Sequence, residues 1–141
     1  MKPILSLLLA VLTGVLLCSC EPTEGIPIVP MNWESSLTFN KNSESKIPAD
    51  AGVYEFTCTS HSYFTLIVHS KDTLHKSHGS SDVPYVFRGS WYEVLIHRNK
   101  MKVTVEANET GESRSLSLEP IIFLGGSFFK LIQSTKAMPP A

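Results

Sequence analysis

Beyond its first twenty residues this chain has no ten-residue stretch with a helical period, and it has no compact catalytic signature anywhere. Neither Gly-x-Ser-x-Gly nor a Gly-rich phosphate loop is present, which leaves no nucleophile elbow and no nucleotide cradle to place. Charge of one sign never accumulates. There are 12 Lys and Arg against 13 Asp and Glu, a formal net charge of −1. Without a basic block or stripe, nucleic acid is not an expected partner. Histidine is sparse. His75 and His78 stand three apart in a polar stretch, and Cys58, His61 and His69 lie at no recognisable ligand spacing. A zinc site needs three or four converging ligands, so no metal and no cofactor is expected, and the His75/His78 pair is expected in a solvated loop. Carboxylates occur singly. A glycosidase pair meets only in space and leaves no spacing to read. The expectation is a non-enzyme.

Long apolar runs are also few, and the one that exists is at the start. Lys2 gives a positive beginning, Ile4 to Leu17 is almost unbroken apolar sequence, and Leu17-Cys18-Ser19-Cys20 follows. A positive start, an apolar core and a small residue at the cut describe an export signal. As a helix, Ile4–Leu17 at roughly 1.5 Å per residue reaches about 21 Å, short of a hydrocarbon core of roughly 30 Å. Pro3 and Gly14 further weaken a membrane-spanning reading. The Leu-x-small-Cys ending resembles the lipobox of bacterial lipoproteins. That resemblance implies a signal peptide over residues 1–19 and lipid on the sulfur and amine of Cys20. The partner would then be a membrane, held through Cys20, and the location the cell envelope, lipid-anchored at the periplasmic or surface face of the outer membrane. Cys18 would leave with the signal and Cys20 would be blocked, so Cys58 could form no disulfide within the mature chain. Cys58 itself sits at an apolar-facing position and reads as a small hydrophobe.

Residues 20–32 read as the lipidated cysteine and a short tether. Pro22, Pro27 and Pro30 favour an extended, semi-rigid spacer. From Trp33 the apolar period becomes two. Tyr54, Phe56 and Cys58 alternate with polar residues, as do Phe64, Leu66 and Val68, then Tyr92, Val94 and Ile96, then Met101, Val103 and Val105, then Leu116 and Leu118. Leu37 and Phe39 flank Thr38 in the same way. Such alternation buries one face of a strand and wets the other. The breaks are turn chemistry: Asn40–Ser43, Asp50–Gly52, His78–Asp82 and Arg98–Lys100. Gly125-Gly126 joins two apolar runs and is expected to be the turn of a tight hairpin. The fold class expected is all-β, an immunoglobulin-like antiparallel β-sandwich of about seven strands over residues 33–135, with 136–141 a loose tail.

Particular residues carry a further likeness. Val103-Thr104-Val105, Asn108-Glu109-Thr110, Arg114 and Ile132-Gln133-Ser134 resemble the Val-x-Val strand, Asn-x-Thr turn, strand-opening Arg and final Gln of the BACON domain (Bacteroidetes-associated, carbohydrate-binding, often N-terminal). Leu37-Thr38-Phe39 looks like the opening strand of that family, and Ser90–Val94 like its aromatic strand. Where members usually show Trp-x-Val this chain has Phe64-Thr65-Leu66, and its segment Lys71–Phe87 is longer. The resemblance implies a sandwich on a Bacteroidetes envelope protein in glycan-handling company. It carries over no defined sugar site.

Candidate binding residues follow from sugar chemistry. Pyranose rings present apolar C–H faces that a flat aromatic side chain matches. Trp91, Trp33 and Tyr85 are the candidate platforms, with Tyr63 and Tyr92 the other available rings. Tyr92 shares parity with Val94 and Ile96 and is expected inside, and Trp91 has the opposite parity. Core packing is the competing use of either tryptophan, since sandwiches of this kind routinely bury one. Asn108-Glu109-Thr110 fits an N-glycosylation pattern, although an Asn in a turn has its own backbone reason to be there. Asp72-Thr73-Leu74 resembles the Asp-Thr-apolar acceptor of Bacteroidetes O-glycosylation, with Thr73 as the acceptor. The function expected is a carbohydrate-binding or glycan-handling accessory module of the envelope. The alternative is a structural spacer or a subunit that contacts another envelope protein. The lipid anchor is directly checkable. Mass spectrometry of the protein from membranes is expected to find a mature N-terminus at Cys20 carrying acyl mass; a different terminus or an unmodified Cys20 would refute it.

Overall fold

Alternating side chains close into two facing sheets. The computed structural model describes residues 25, 27–71 and 73–136. The expected signal over 1–19, the lipidation site Cys20, the start of the tether and residues 137–141 of the tail lie outside them. Eleven strands are present among the described residues: β1 (Trp33–Ser35), β2 (Glu44–Ile47), β3 (Gly52–Cys58), β4 (Thr65–Ser70), β5 (Leu74–Gly79), β6 (Tyr85–Arg88), β7 (Tyr92–His97), β8 (Lys100–Val105), β9 (Arg114–Ile122), β10 (Gly125–Gly126) and β11 (Phe129–Gln133). One sheet has the order β1-β3-β8-β7-β6 and the other β2-β11-β9-β4-β5, with β10 extending the pairing of β9. All pairs are antiparallel except β2 with β11, which run parallel. The chain thus enters in one sheet as β1 and crosses to the other as β2 beside the last strand. This is an immunoglobulin-like sandwich.

The strongest sequence alternations became β3, β4, β7, β8 and β9. The inward residues Phe56, Leu66, Val94, Met101 and Leu118 are at most 1% exposed. Each such side chain contributes about 1.5–3 kcal/mol by leaving water. Cys58 is buried and free, at an inward position as expected.

The structure departs from the sequence pattern at four places. Leu37–Phe39 is not a strand. The Ser35 hydroxyl accepts from the Leu37 amide at 3.1 Å, turning the chain off the ladder, while Leu37 and Phe39 still pack on the core. Gly125-Gly126 is not the hairpin turn. Phe123-Leu124 turns, and the glycines pair with Ile122 and Ile121 on the return. Gly126 is needed there for close approach, since a Cβ would lie 2.9 Å from the Pro120 carbonyl oxygen. The parallel β2 lies between the expected turns Asn40–Ser43 and Asp50–Gly52, where no alternation marks a strand. Finally, His75–His78 is not a solvated loop but lies in edge strand β5. The β4–β5 register shifts between Leu66 and Val68, and the bulge brings both imidazoles onto one face, each edge-on to Phe87.

Inside that edge, the Nε2 of His75 and the hydroxyl of Tyr92 are buried with no hydrogen-bond partner among the described residues. The rings meet edge-on at 5.9 Å. Burial pushes the Tyr92 phenol above its ordinary pKa; the nearby Ser70 hydroxyl acts the other way without forming an aligned bond. An unpaired buried hydroxyl costs stability. Tyr92→Phe is therefore expected to leave the unfolding midpoint in urea unchanged or to raise stability by up to about 1 kcal/mol. A clear loss would show that the hydroxyl is satisfied.

Candidate functional site

The two ends of the sandwich differ in chemistry. The end from which β9 begins is built on a polar cluster. Arg114 opens β9 opposite Gln133, the last residue of β11. Its Nε donates to the Gln133 side-chain oxygen at 2.8 Å, and its Nη2 donates to the carbonyls of Glu106 and Ala107. The Gln133 amide in turn donates to the carbonyls of Ala49, Asp50 and Glu106. Asn108, fully buried, donates to the carbonyls of Glu112 and Ser134 and accepts from the Thr110 amide and hydroxyl. Two loops and the exit of the last strand are thereby joined. Burial lowers the Arg114 pKa from its ordinary value, opposed by the charge of Glu106; a guanidinium remains cationic throughout the physiological range.

Trp91 sits against this cluster. It is half-buried, edge-on to Tyr92 at 5.2 Å, with the Arg114 guanidinium 4.3 Å from its ring centroid. That stack is a cation–π contact. Around it lies an open groove of about 850 Å³, lined by Lys71, Trp91, Thr110, Glu112, Ser113 and Arg114 with neighbouring serines and Gly111. Hydroxyls, one carboxylate, one ammonium, the Arg114 guanidinium and the Trp91 indole share this surface. Nη1 is the guanidinium nitrogen for which no hydrogen-bond acceptor is found among the described residues.

The three aromatic candidates do not converge. Trp33 lies at the opposite end, paired with Cys58 across β1 and β3. It packs edge-on to Phe64 and Phe129, and its indole N–H donates to the Ser127 hydroxyl at 3.0 Å. Packing is its role in this structure. Tyr85 is exposed but has one face covered by His78, stacked at 3.6 Å. Opposite Ile96, it stands five residues along β7 from Trp91, roughly 17 Å at about 3.4 Å per residue. Between β1 and β6 are three strands, which puts Trp33 roughly 19 Å from Tyr85 at about 4.8 Å per step. Of these three, Trp91 is the one that borders a groove with polar company among the described residues. Thr73, half-buried, lies on the β4–β5 turn, where its carbonyl accepts from the Ser70 amide at 2.8 Å. Lys71 on that turn reaches the Trp91 groove. Asn108 is closed to glycosylation in the folded protein, because its amide nitrogen is buried and fully engaged. Among the described residues no three His, Cys, Asp or Glu side chains are placed to hold a metal ion. Arg114 is the site residue that sequence reasoning did not assign. It was visible only as a motif position, with nothing to place it over a ring 23 residues away.

Asn108 offers the sharpest test of the cluster. Asn108→Ala strands the Ser134 carbonyl and the Thr110 amide, leaves the Glu112 carbonyl to the Thr110 hydroxyl alone, and is expected to cost about 2–4 kcal/mol in chemical denaturation. Thr110→Val, which removes one hydroxyl, should cost about 1 kcal/mol. Equal and negligible losses would show that the cluster does not hold this end.

No family model matches the chain, and no curated protein matches it. Among solved structures it is similar to an NMR structure of a protein from Bacteroides thetaiotaomicron, with 27% identity over 86% of this chain and 99% of that one and a TM-score of 0.65. It is also similar to titin domain M7, with 10% identity over 79% of this chain and all of that one and a TM-score of 0.47.

Proposed function

We propose that this protein is a non-catalytic, lipid-anchored module of the bacterial cell envelope, BACON-like in kind, that presents a glycan-binding groove at the end of its sandwich farthest from the anchor. The observation that carries this is the placement of the Trp91 groove. The tether enters at the opposite end, where the Pro30 carbonyl accepts from Ser60 at 2.9 Å and the Val29 carbonyl from His61. A lipid on Cys20 would leave the groove facing away from the membrane.

Groove chemistry supports a hydroxyl-rich ligand. Trp91 offers apolar surface for C–H groups, while the Nη1 of Arg114 and the Thr110 and Ser113 hydroxyls offer directional partners. The motif positions that carry the BACON likeness, Asn108, Arg114 and Gln133, are the ones that hold this end in shape, which supports a shared scaffold. The second reading, a subunit that contacts another envelope protein, is favoured by one feature. Edge strand β5 exposes Leu74 (67%) beside an open backbone edge, and such edges accept partner strands.

A glycan array with the full mature protein separates the two. Binding is expected, with a loss of tenfold or more in Trp91→Ala, about 1.4 kcal/mol, and less in Trp91→Phe. Tyr85→Ala should leave it unchanged. No glycan bound by a folded protein, together with a membrane protein captured through β5, would favour the second reading.

A further inference from the structure

The tether end carries apolar surface that the fold does not require. At the tip of the β9–β10 hairpin the turn residues are Phe123, 96% exposed, and Leu124, 38% exposed. Turns ordinarily use Gly, Asn, Asp, Pro or Ser because those residues suit the backbone and water. Here the two glycines sit inside the ladder and the apolar pair takes the tip. Phe128 (44%), Tyr63 (47%) and Val83 (73%) are exposed at the same end. Tyr63 and Phe123 border one shallow hollow. Tyr63 donates to Asp82, which also pairs with Arg98 at 2.8 Å, so the neighbouring loops are tied together.

Charge is distributed unevenly too. In loops 59–63, 80–84, 97–100 and 122–128 the sole acidic residue is Asp82, which pairs with Arg98, and Lys100 leaves these loops with one positive charge in excess. At the other end Asp50, Glu106, Glu109 and Glu112 outnumber the cations Lys71, Arg114 and Lys136. The chain outside the described residues also points to an occupant. It enters at this apolar end, and eight residues separate Cys20 from Val29, whose carbonyl is fixed on His61. Fully extended, that segment spans at most roughly 30 Å. A short tether of this kind raises the effective concentration of an anchored surface into the millimolar range, so weak contacts become populated.

We propose that this end of the domain docks onto the bilayer that holds the lipid, with Phe123, Leu124 and Phe128 entering the headgroup boundary and Arg98 and Lys100 facing anionic headgroups; this rests on the lipid-anchored reading above. Rings and branched side chains suit the acyl boundary, and cations suit its anionic rim. Docking by this end stands the long axis of the sandwich up from the membrane surface and aims the Trp91 groove outward.

The test uses the full chain, processed in a bacterium that matures lipoproteins and reconstituted into phosphatidylethanolamine–phosphatidylglycerol vesicles. A Cβ at Gly125 meets nothing within 4 Å, so Gly125→Cys accepts an environment-sensitive fluorophore while Phe123 and Leu124 stay in place. Cys58 is buried and should not label in the folded protein. Fluorescence at position 125 is expected to shift to the blue and to be quenched severalfold by lipids brominated near the headgroup. The same label on Ser113→Cys, at the far end, should stay aqueous. Adding Phe123→Ser and Leu124→Ser should abolish the quenching without changing the circular dichroism. Acyl mass on Cys20 with an aqueous label at 125 overturns the docking and leaves the anchor standing. A quenched label on a chain without acyl mass overturns the anchor alone, and failure of both measurements overturns both.

Discussion

The hydrogen-bonded cluster of Arg114, Gln133 and Asn108 is the constraint on which the groove end depends. Loops that close a sandwich carry backbone carbonyls that no strand can pair, and burying them unpaired is costly. Here side-chain donors take them up: Arg114 serves Glu106 and Ala107, Gln133 serves Ala49, Asp50 and Glu106, and Asn108 serves Glu112 and Ser134. Among the described residues no carboxylate pairs with Arg114. Its charge rests on carbonyl dipoles and on the Trp91 ring, which places the cation and the ring together. The same guanidinium therefore fixes the loops and sets the position of Trp91, so fold and site share a single cause.

At the other end the organising contact is apolar. β1 has three residues, too short to hold by ladder bonds alone. Trp33 secures it by inserting between Phe64 and Phe129, and Phe129 in turn meets Phe39 and Phe56 at 5.1 Å each. The indole N–H is satisfied by Ser127 on the chain leaving β10. Each tryptophan thus serves one end. Trp33 fastens the entry of the chain to the final hairpin, and Trp91 receives the cation of the closing cluster.

What the sequence disclosed follows from how strands bury their faces. Where one face is dry and the other wet, as in β3, β7 and β8, alternation is strict and even the inward position of Tyr92 is legible. Edge strands lack that contrast. Both β5 and β6 border solvent, and the bulge at Leu66/Val68 shifts the phase of β5, so His75 and His78 lie on one face at a spacing that looks like a loop. β2 is polar and joins by parallel pairing, which leaves no local turn to announce it. The Gly-Gly pair signalled a turn correctly in kind but two residues late, because Gly126 meets a steric demand from the Pro120 carbonyl rather than a dihedral one. The BACON-like motif was legible as spacing along the chain. That its members hydrogen-bond one another is a fact of three dimensions, made by β9 and β11 lying side by side.

Stability alone does not account for the distribution of side chains between the ends. A sandwich that only had to stay folded would put its aromatic residues inward and its turn residues at the hairpin tip. This one does so at the far end, where Gly111, Ser113 and Thr110 form a polar rim, and reverses it at the tether end, where Phe123 projects into solvent. At the far end the Ala49–Asp50 and Glu106–Glu112 loops are pinned by the side chains of Gln133, Arg114 and Asn108, whereas the hairpin tip beyond Ile122 is held by two ladder positions. A fixed polar rim preserves the geometry a directional ligand needs. A lightly held apolar tip tolerates a surface with no fixed geometry of its own, and a bilayer is such a surface.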